Sequence, residues 1–321
     1  MSERYPLISM EDLCSLLGKS RQAWYKARNK KDDRELQEVL VLEQVRRIRK
    51  DLPRIGTYKL HFILRDFLEK SQIKMGRQSL NRLLKSNQML VKRKKSRRIR
   101  TTHSFKHWRN YYPNLAKDMI VDRAHRLWTA DITYILVGEH YNFLSLITDA
   151  YSHVIVGWAL SETLAAKGPL QALQMALAQR KYRSSELVHH SDRGIQYYAV
   201  AYRKLLDAHG IKISMTQNSD PYENAIAERI NGIIKDEMLG KKVFADFQKA
   251  YKAIEHAIYN YNHLRPHRSC DLLTPMQAHT QRGPLKKHWK KRSFKVPDSL
   301  TPTLLELQKE SETTARDSLN N

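Results

Sequence analysis

Three acidic side chains are the strongest candidates for chemistry in this sequence. Asp131 stands in Leu-Trp-Thr-Ala-Asp-Ile-Thr-Tyr (127–134), Asp192 in His-Ser-Asp-Arg-Gly (190–194), and Glu228 in Glu-Asn-Ala-Ile-Ala-Glu-Arg-Ile-Asn (223–231). There are 60 residues between the two aspartates and 35 between Asp192 and Glu228. Three carboxylates that meet raise one another's pKa unless a cation lies between them. Carboxylate oxygens suit Mg²⁺ or Mn²⁺, and a pair of such ions can stabilise the attacking and leaving oxygens of a phosphoryl displacement.

The local setting of each acid supports this interpretation, although an acid taken alone is more often a solvated surface charge. Asp131 lies in a β-rich stretch suited to burial, where an unpaired carboxylate is costly. Asp192 follows a short strand, at the edge of an α/β sheet where sites are built. At about 100° per residue, the isoleucines around Glu228 share one helix face, and the opposite face is polar. That polar face carries Asn224, Glu228, Asn231 and Lys235, with Lys235 two turns beyond Glu228 and placed to hold a DNA phosphate.

Other candidate ligands are weaker. His189 and His190 could indicate zinc, but no Cys pair or second His pair is spaced to complete such a site. We expect His190 to support the Asp192 turn by hydrogen bonding instead. Cys14 and Cys270 are the only cysteines, and we expect both to be free thiols in a reducing cytoplasm.

The elements that must position the acids change from strands to alternating helices and strands over residues 122–280. A hairpin is predicted for 127–135 and 141–147, with Gly138 in its turn, and a third strand for 154–160. Further strands are predicted at 187–190 and 211–215, and helices at 169–179, 197–209 and 223–238. The pattern predicts an α/β domain with a mixed five-stranded sheet and helices on both faces.

Two helical modules are predicted before this domain. Residues 1–30 have the pattern of a small helix-turn-helix, in which Ser20 caps the second helix. Residues 31–91 predict a second helix-turn-helix unit, joined to the first by a charged segment. A plain helical hairpin and a solvated helix face are the alternatives. The outer face of the last helix has side chains that bind bases and phosphates, namely Arg77, Gln78, Asn81, Arg82 and Lys85.

Residues 92–121 form a linker that opens with seven basic side chains in nine residues. Such a block does not fold alone, because like charges repel and little is available for burial. We expect it to lie along DNA phosphates, and a solvated linker is the alternative. Its candidate DNA contacts are Lys92, Arg93, Lys94, Lys95, Arg97, Arg98 and Arg100. Residues 281–321 form a basic to polar tail that we expect to be partly disordered.

The net charge favours a polyanionic partner. Lys and Arg number 57 against 33 Asp and Glu, a formal charge of +24, and phosphate contacts release condensed counterions. No apolar run approaches the roughly 18 residues of a membrane span, and no signal peptide opens the sequence. Double-stranded DNA is therefore the expected partner rather than a membrane, and the cytoplasm, at the bacterial nucleoid, is the expected location.

These motifs together resemble the DDE transposases of bacterial insertion sequences, and in particular the insertion-sequence-three family. The resemblance rests on the three acids with their flanking residues, on Tyr-Asn-His-Leu-Arg-Pro-His (261–267) and on Thr274-Pro275, and covers roughly residues 40–278. It implies an RNase H-like core similar to retroviral integrase. It also implies Mg²⁺-dependent cleavage at element ends, followed by attack of the freed 3′-hydroxyl on a second phosphodiester. Asp131, Asp192 and Glu228 would be the metal ligands, with Asn224, Asn231 and Lys235 beside them.

The sequence departs from the family's pattern at two points, and the resemblance implies further protein partners. The family often has Asp where this chain has Glu223, and the His-His-Cys-Cys zinc module of retroviral integrases does not appear at the N-terminus. The family's enzyme is commonly a frameshift fusion, so we expect this chain to be the downstream-frame type and the upstream-frame protein to be a further partner. Joining terminal inverted repeats to target DNA implies a dimer or larger assembly.

Two other functions remain open on the sequence alone. A DNA-binding repressor or structural protein could retain the fold without activity, although the complete acid triad argues against it. A simple nuclease on the same fold would cut DNA without joining it and without pairing two ends. Both alternatives differ from a transposase in the products formed from labelled element ends.

Overall fold

The N-terminal part of the protein is helical, and its longest element is α1, Arg21–Asp51. Ser20 caps α1 by accepting a hydrogen bond from the backbone N–H of Ala23 at 3.1 Å, as its residue type predicts. The expected boundary between residues 30 and 31 is wrong, because α1 runs through it without interruption. The charged segment there contains no Gly or Pro, and charge alone does not end a helix.

The computed structural model describes residues 11, 14, 15, 18, 20–91, 112–180, 186–217, 224–240 and 242–289. The expected helix before Ser20 therefore lies largely outside the described residues, as do all the basic candidates of the linker. The chain divides into two units, Met1–Lys286 and Lys287–Asn321. Every element given below belongs to the first unit.

Three short helices complete the N-terminal part: α2, Thr57–Ile63, α3, Arg65–Lys70, and α4, Arg77–Ser86. Gly76 precedes α4 in an extended conformation. The apolar positions of α1, α2 and α4 form one core, in which Val41, Val45, Leu60, Leu80 and Leu84 are fully buried. This core leaves the polar face of α4 outside.

The catalytic part is built on a five-stranded sheet in the order β3-β2-β1-β4-β5. Its strands are β1, Leu127–Val137, β2, His140–Asp149, β3, Ile155–Ser161, β4, Val188–Ser191, and β5, Lys212–Met215. The first three pair antiparallel, whereas β4 pairs parallel with β1 and β5 parallel with β4. The mixed RNase H-like sheet predicted from the sequence is confirmed.

Helices cover both faces of this sheet. They are α5, Lys167–Gln179, α6, Val200–Ala208, α7, Ala225–Gly232, α8, Phe247–His263, and α9, Pro275–His279, with a 3-10 turn at Ile195–Tyr198. One core, around Trp128 and Leu173, faces α5 and α6, and the other, around Leu144 and Ile230, faces α7 and α8. The closing helix α8 has 17 residues.

The helix that begins at Ala225 is not regular. After Gly232 it continues as a π-helical segment, Ile233–Met238, where the sequence predicts one α-helix over 223–238. A π turn holds more residues than an α turn, so side chains beyond Ile233 no longer follow the 100° rule. The expectation that Lys235 shares a face with Glu228 loses its geometric basis.

A buried ion network joins the N-terminal helices to the catalytic part. Arg265, 1% exposed, donates from Nε and Nη2 to the two carboxylate oxygens of Glu237, each at 2.8 Å. Lys59 on α2 lies 3.5 Å from the same carboxylate. Burial lowers the pKa of Lys59 to about 7, Arg265 adds to this fall, and Glu237 opposes it. Burial favours a higher pKa for Glu237, but the hydrogen bonds and charges of Arg265 and Lys59 hold it below its usual value.

Among the described residues, no helix combines the length and the apolar character needed to cross a membrane. The longest, α1, has 31 residues, but charged side chains occur along its whole length.

Candidate active site

The two aspartates lie side by side because of the register between β1 and β4. Ala130 pairs with Ser191 across the parallel strands, so the next residue of each chain segment is Asp131 and Asp192. Neighbouring strands lie roughly 4.8 Å apart, so the two carboxyl groups lie close together. Asp131 lies within β1, at the centre of the sheet, and Asp192 directly follows β4.

The turn after Asp192 brings Gly194 of the Ser-Asp-Arg-Gly motif close to two side chains. The backbone N–H of Gly194 donates to Asp192 Oδ1 at 3.0 Å. A Cβ at position 194 would lie 3.0 Å from that same oxygen and 2.9 Å from Gln196 Oε1. A larger residue at position 194 would therefore require these two side chains to shift slightly. His190 Nδ1 lies 2.8 Å from Ser214 Oγ on β5, and the role of His190 in supporting the Asp192 turn stays a prediction.

Two asparagines fix α7 against β1 and thereby place Glu228. Asn224 donates from Nδ2 to Ala130 O at 3.0 Å, and Asn231 donates from Nδ2 to Asp131 Oδ2 at 2.7 Å. Glu228 lies four residues after the first and three before the second, on the same helix face as both. It is exposed on that face, beside the aspartates.

These contacts correct the expectation that Asn224 and Asn231 bind DNA. Each asparagine is only 6% exposed, and each uses its amide nitrogen inside the protein. Both are therefore positioning residues of the acidic site. The sequence signal was present, since both lie on the polar face of α7, but a polar face does not reveal whether it meets DNA or another part of the chain.

The acids perturb one another electrostatically. Burial raises the pKa of Asp131 to about 7, and the negative charges of Asp192 and Glu228 add to the rise. Hydrogen bonds from the Ile132 N–H, at 2.8 Å, and from Asn231 oppose it. Burial also raises the pKa of Asp192 and of Glu228. A divalent cation bound between these carboxylates would offset their mutual repulsion.

The donor set fits a hard cation. It consists of carboxylate oxygens, the ligands that Mg²⁺ and Mn²⁺ prefer. In the part of the chain that the structure describes, the three carboxylates do not all lie within 4.8 Å of one another. Like charges favour that separation, and the exposed Glu228 side chain is the one with room to turn toward the aspartates.

A second polar surface lies on α4. Arg77, Gln78, Asn81 and Arg82 line a cleft together with Thr57 of α2, and Lys85 is exposed on the same helix. The Thr57 hydroxyl donates to Asn81 Oδ1 at 3.3 Å. All five candidates predicted from the sequence are exposed, so nothing in the fold prevents them from contacting a ligand.

Comparisons with known proteins agree with the site. Residues 121–221 and 209–275 match two family models, each described as an integrase core domain. An insertion element IS600 uncharacterized 31 kDa protein of Shigella sonnei is 32% identical over 268 residues, which cover 82% of this chain and 96% of that protein. The transposase for IS629 of Shigella sonnei is 36% identical over 126 residues, covering 39% and 42% of the two chains. Transposase InsF for IS3fB of Escherichia coli is 31% identical over 168 residues, covering 52% and 58%.

The matches to the two named transposases span about half the length of those proteins. Among solved structures, the HTLV-2 integrase catalytic core domain in complex with magnesium is 19% identical and covers 49% of this chain and 97% of that one, with a TM-score of 0.40. A simian T-cell lymphotropic virus intasome structure is 16% identical, with a TM-score of 0.43.

The sheet, the acids at its edge and the matched family models define an integrase core domain of the DDE polynucleotidyl transferase class. The match to an insertion-element protein covers more of the chain than the two family models do. The chain belongs to the insertion-sequence-three family of DDE transposases from bacterial insertion sequences.

Proposed function

We propose that this chain cleaves DNA at the ends of its insertion sequence and joins the freed ends to target DNA, with Asp131, Asp192 and Glu228 as the metal-binding catalytic residues. The observation that carries the proposal is the parallel register of β1 and β4, which makes the two aspartates neighbours. The helix that bears Glu228 is hydrogen-bonded to β1 through Asn224, and to the Asp131 side chain through Asn231.

Each side chain has a defined task in this proposal. Asp131 and Asp192 hold cations at the edge of the sheet, and Glu228 turns inward to complete the ligand set. When bound, two Mg²⁺ or Mn²⁺ ions would stabilise the attacking and leaving oxygens of an in-line phosphoryl displacement. Asn231 orients Asp131 and favours its ionised form by donating to its Oδ2.

The direct test uses purified protein, labelled DNA carrying the element's terminal repeats, target DNA and Mg²⁺, with the cut and joined strands mapped. Cleavage at the repeat end followed by a joined product supports the proposal. Cleavage without joining would indicate a nuclease, and stable binding without either reaction would indicate a repressor or structural protein.

The Asn231 hydrogen bond gives a prediction about the metal. Asn231→Ala removes a donor to Asp131 and leaves its burial and its neighbouring charges in place, so the ionised form loses support. Loss of such an outer contact typically weakens metal binding or activity about 10- to 100-fold. We expect the Mg²⁺ concentration for half-maximal cleavage to rise by that factor, measured by titration of Mg²⁺. A fall in DNA affinity with unchanged Mg²⁺ dependence would restore the DNA-contact role for Asn231.

We also propose that the helical part formed by α1 to α4, which contains the predicted unit of residues 31–91, reads the terminal repeat through the cleft on α4. The basic block at the start of the linker, residues 92–100 of 92–121, would follow the phosphates toward the core of residues 122–280, and the tail would occupy residues 281–321. The end of the linker lies against the core instead, where Leu115 N–H donates to Ser214 Oγ at 2.8 Å. The exposed Arg and amide side chains of α4 support the proposal, because Arg binds guanine edges and Gln or Asn binds adenine edges. Lys235 and the linker residues stay predicted phosphate contacts.

Arg82 provides the test of that reading surface. Arg82→Ala should weaken binding to the terminal repeat by about 1–3 kcal/mol and reduce discrimination against altered repeats, because an arginine that contacts a base edge carries both. The measurement is a fluorescence-anisotropy titration at fixed salt with cognate and scrambled repeats. Lys252→Ala, on the exposed side of α8, is the charge-matched control and should leave discrimination unchanged. Equal losses on cognate and scrambled DNA would assign Arg82 to phosphate only.

The proposed reaction also implies an assembly. Joining two ends to one target needs at least two active sites, so we expect a dimer or larger homo-oligomer on DNA, with the upstream-frame protein of the same element as a further partner. The mass of the complex assembled on paired terminal repeats measures this. A joined product held by one protomer would contradict the expectation.

A further inference from the structure

A second group of potential metal ligands lies where the closing segment after α8 meets the turn between β2 and β3. The group consists of His153 in that turn and of His267 and Cys270 in the segment. Trp128 pairs with Asp149 at the end of β2, so the turn lies beyond the amino-terminal end of β1. None of the three residues belongs to the acidic site.

The three side chains converge. A ring nitrogen of each histidine and the Cys270 sulfur all lie within 4.8 Å of one another. The two imidazole rings are stacked with centroids 4.4 Å apart and an angle of 19° between their planes. Cys270 is fully buried and His267 is 7% exposed, whereas His153 is half-buried.

The backbone on both sides is arranged to present these ligands. The Cys270 and Leu272 N–H groups both donate to His267 O, at 3.0 Å each, so His267 and Cys270 project from one tight turn with two residues between them. His153 has a φ of 62°, in the left-handed region that few side chains adopt. Its carbonyl accepts the Tyr261 hydroxyl at 2.9 Å, which holds the turn against α8.

We propose that His153, His267 and Cys270 bind a Zn²⁺ ion, with one water molecule as the fourth ligand. Two imidazole nitrogens and one thiolate are ligands that Zn²⁺ prefers, whereas the Mg²⁺ of the acidic site prefers oxygen alone. Ligand atoms bound at about 2.0–2.3 Å from a tetrahedral ion lie closer to one another than the 4.8 Å within which these three atoms now lie. Small side-chain movements would therefore complete the site. A water molecule would take the remaining position of the tetrahedron.

Binding requires one proton to leave. The Cys270 thiol now donates to Ser152 O at 3.4 Å, and its sulfur binds Zn²⁺ as a thiolate once that proton has passed to solvent. Burial raises the pKa of Cys270 to about 12, with the charge of Asp149 adding to it, so the ion must offset this cost. Burial holds the pKa of His267 well below its usual value, which leaves the ring neutral, as a ligand must be.

The ion would connect the closing segment to the sheet. Arg265, two residues before His267, holds Glu237 in the buried ion network, and α8 carries Tyr261. Zinc at this position would therefore stabilise the part of the chain that anchors the N-terminal helices to the catalytic part.

The test uses the full chain, stripped with a chelator and titrated with Co²⁺ in place of Zn²⁺. Thiolate-bound Co²⁺ has a sulfur-to-metal charge-transfer absorption that carboxylate-bound Co²⁺ lacks, so the acidic site does not interfere. We expect this band to saturate at one equivalent and to disappear when Zn²⁺ is added. Cys14→Ser, which removes the other cysteine, should keep the band, and Cys270→Ser should lose it.

His153→Asn provides a second variant that keeps the fold, because asparagine tolerates the left-handed backbone. It should reduce the affinity for Zn²⁺ at least about 10-fold, with the circular dichroism spectrum unchanged. Absence of the band in the wild-type chain, its persistence in Cys270→Ser, or unchanged Zn²⁺ affinity in His153→Asn would overturn the site.

Discussion

Asp192→Asn should reduce Mg²⁺-dependent strand transfer at least about a thousandfold, because a lost metal ligand removes several kcal/mol of charge stabilisation and each 1.36 kcal/mol is a factor of ten. Binding to the terminal repeats should stay nearly unchanged, since α4 lies outside the acidic site. The measurement pairs a strand-transfer assay with a binding titration on the same DNA. An equal loss of both would favour a protein that only binds.

The same substitution should not destabilise the metal-free fold. Asp192 adds to the raised pKa of Asp131, so a neutral side chain at 192 relieves repulsion. Asparagine Oδ1 can still accept the Gly194 N–H that now bonds Asp192 at 3.0 Å. We expect an unfolding temperature equal to or above that of the wild type. Asp207→Asn, at an exposed position of α6, is the matched control and should retain activity; a large loss there would show that the assay reports damage to the fold.

Glu237→Gln should lower the free energy of unfolding by about 3–5 kcal/mol, the usual cost of removing one partner of a buried ion pair. Arg265 is 1% exposed and would keep its charge without a carboxylate to neutralise it. Lys59, whose pKa is already lowered to about 7, would respond by losing its proton. Urea unfolding curves for both proteins measure the difference. Glu255→Gln, on the exposed face of α8, should change stability by less than about 0.5 kcal/mol.

The pH dependence of that difference has a definite sign. The pKa of Glu237 is held below its usual value in the folded protein, so its stabilising contribution is present above the unfolded pKa of about 4.3 and is lost as the pH falls through the folded pKa. The gap between the wild type and Glu237→Gln should therefore narrow on acidification below about pH 4. A gap that stays constant, or widens, would show that the Glu237 carboxylate does not provide the stabilisation.

Much of the fold follows from local patterns. The strands over 127–137 and 140–149 are visible because β-branched and aromatic residues surround a turn glycine, and the Glu228 helix is visible because its isoleucines recur at helical spacing. The predictions failed where the local sequence does not determine the conformation. The π turn at Ile233 and the continuous α1 depend on how a whole helix packs, not on its propensities.

The site shows the same division. The helix period predicted that Asn224 and Asn231 lie on the polar face of their helix. Their partners, Ala130 and Asp131, lie on a strand that is distant in sequence. Their role as positioning residues could not be predicted without the packing of α7 on β1. The contact of Glu237 with Lys59 and Arg265 was missed for the same reason.

By itself, the sequence determined which side chains are available for chemistry: three acids, a basic linker and a polar helix face, because residue type and periodicity are local properties of the chain. Only the tertiary structure decided which of these groups meet. The β1–β4 register makes Asp131 and Asp192 neighbours, and the turn of His267 and Cys270 meets His153. Such pairings depend on segments far apart in the chain, whose relative position is set by burial of their apolar faces rather than by any pattern within one segment.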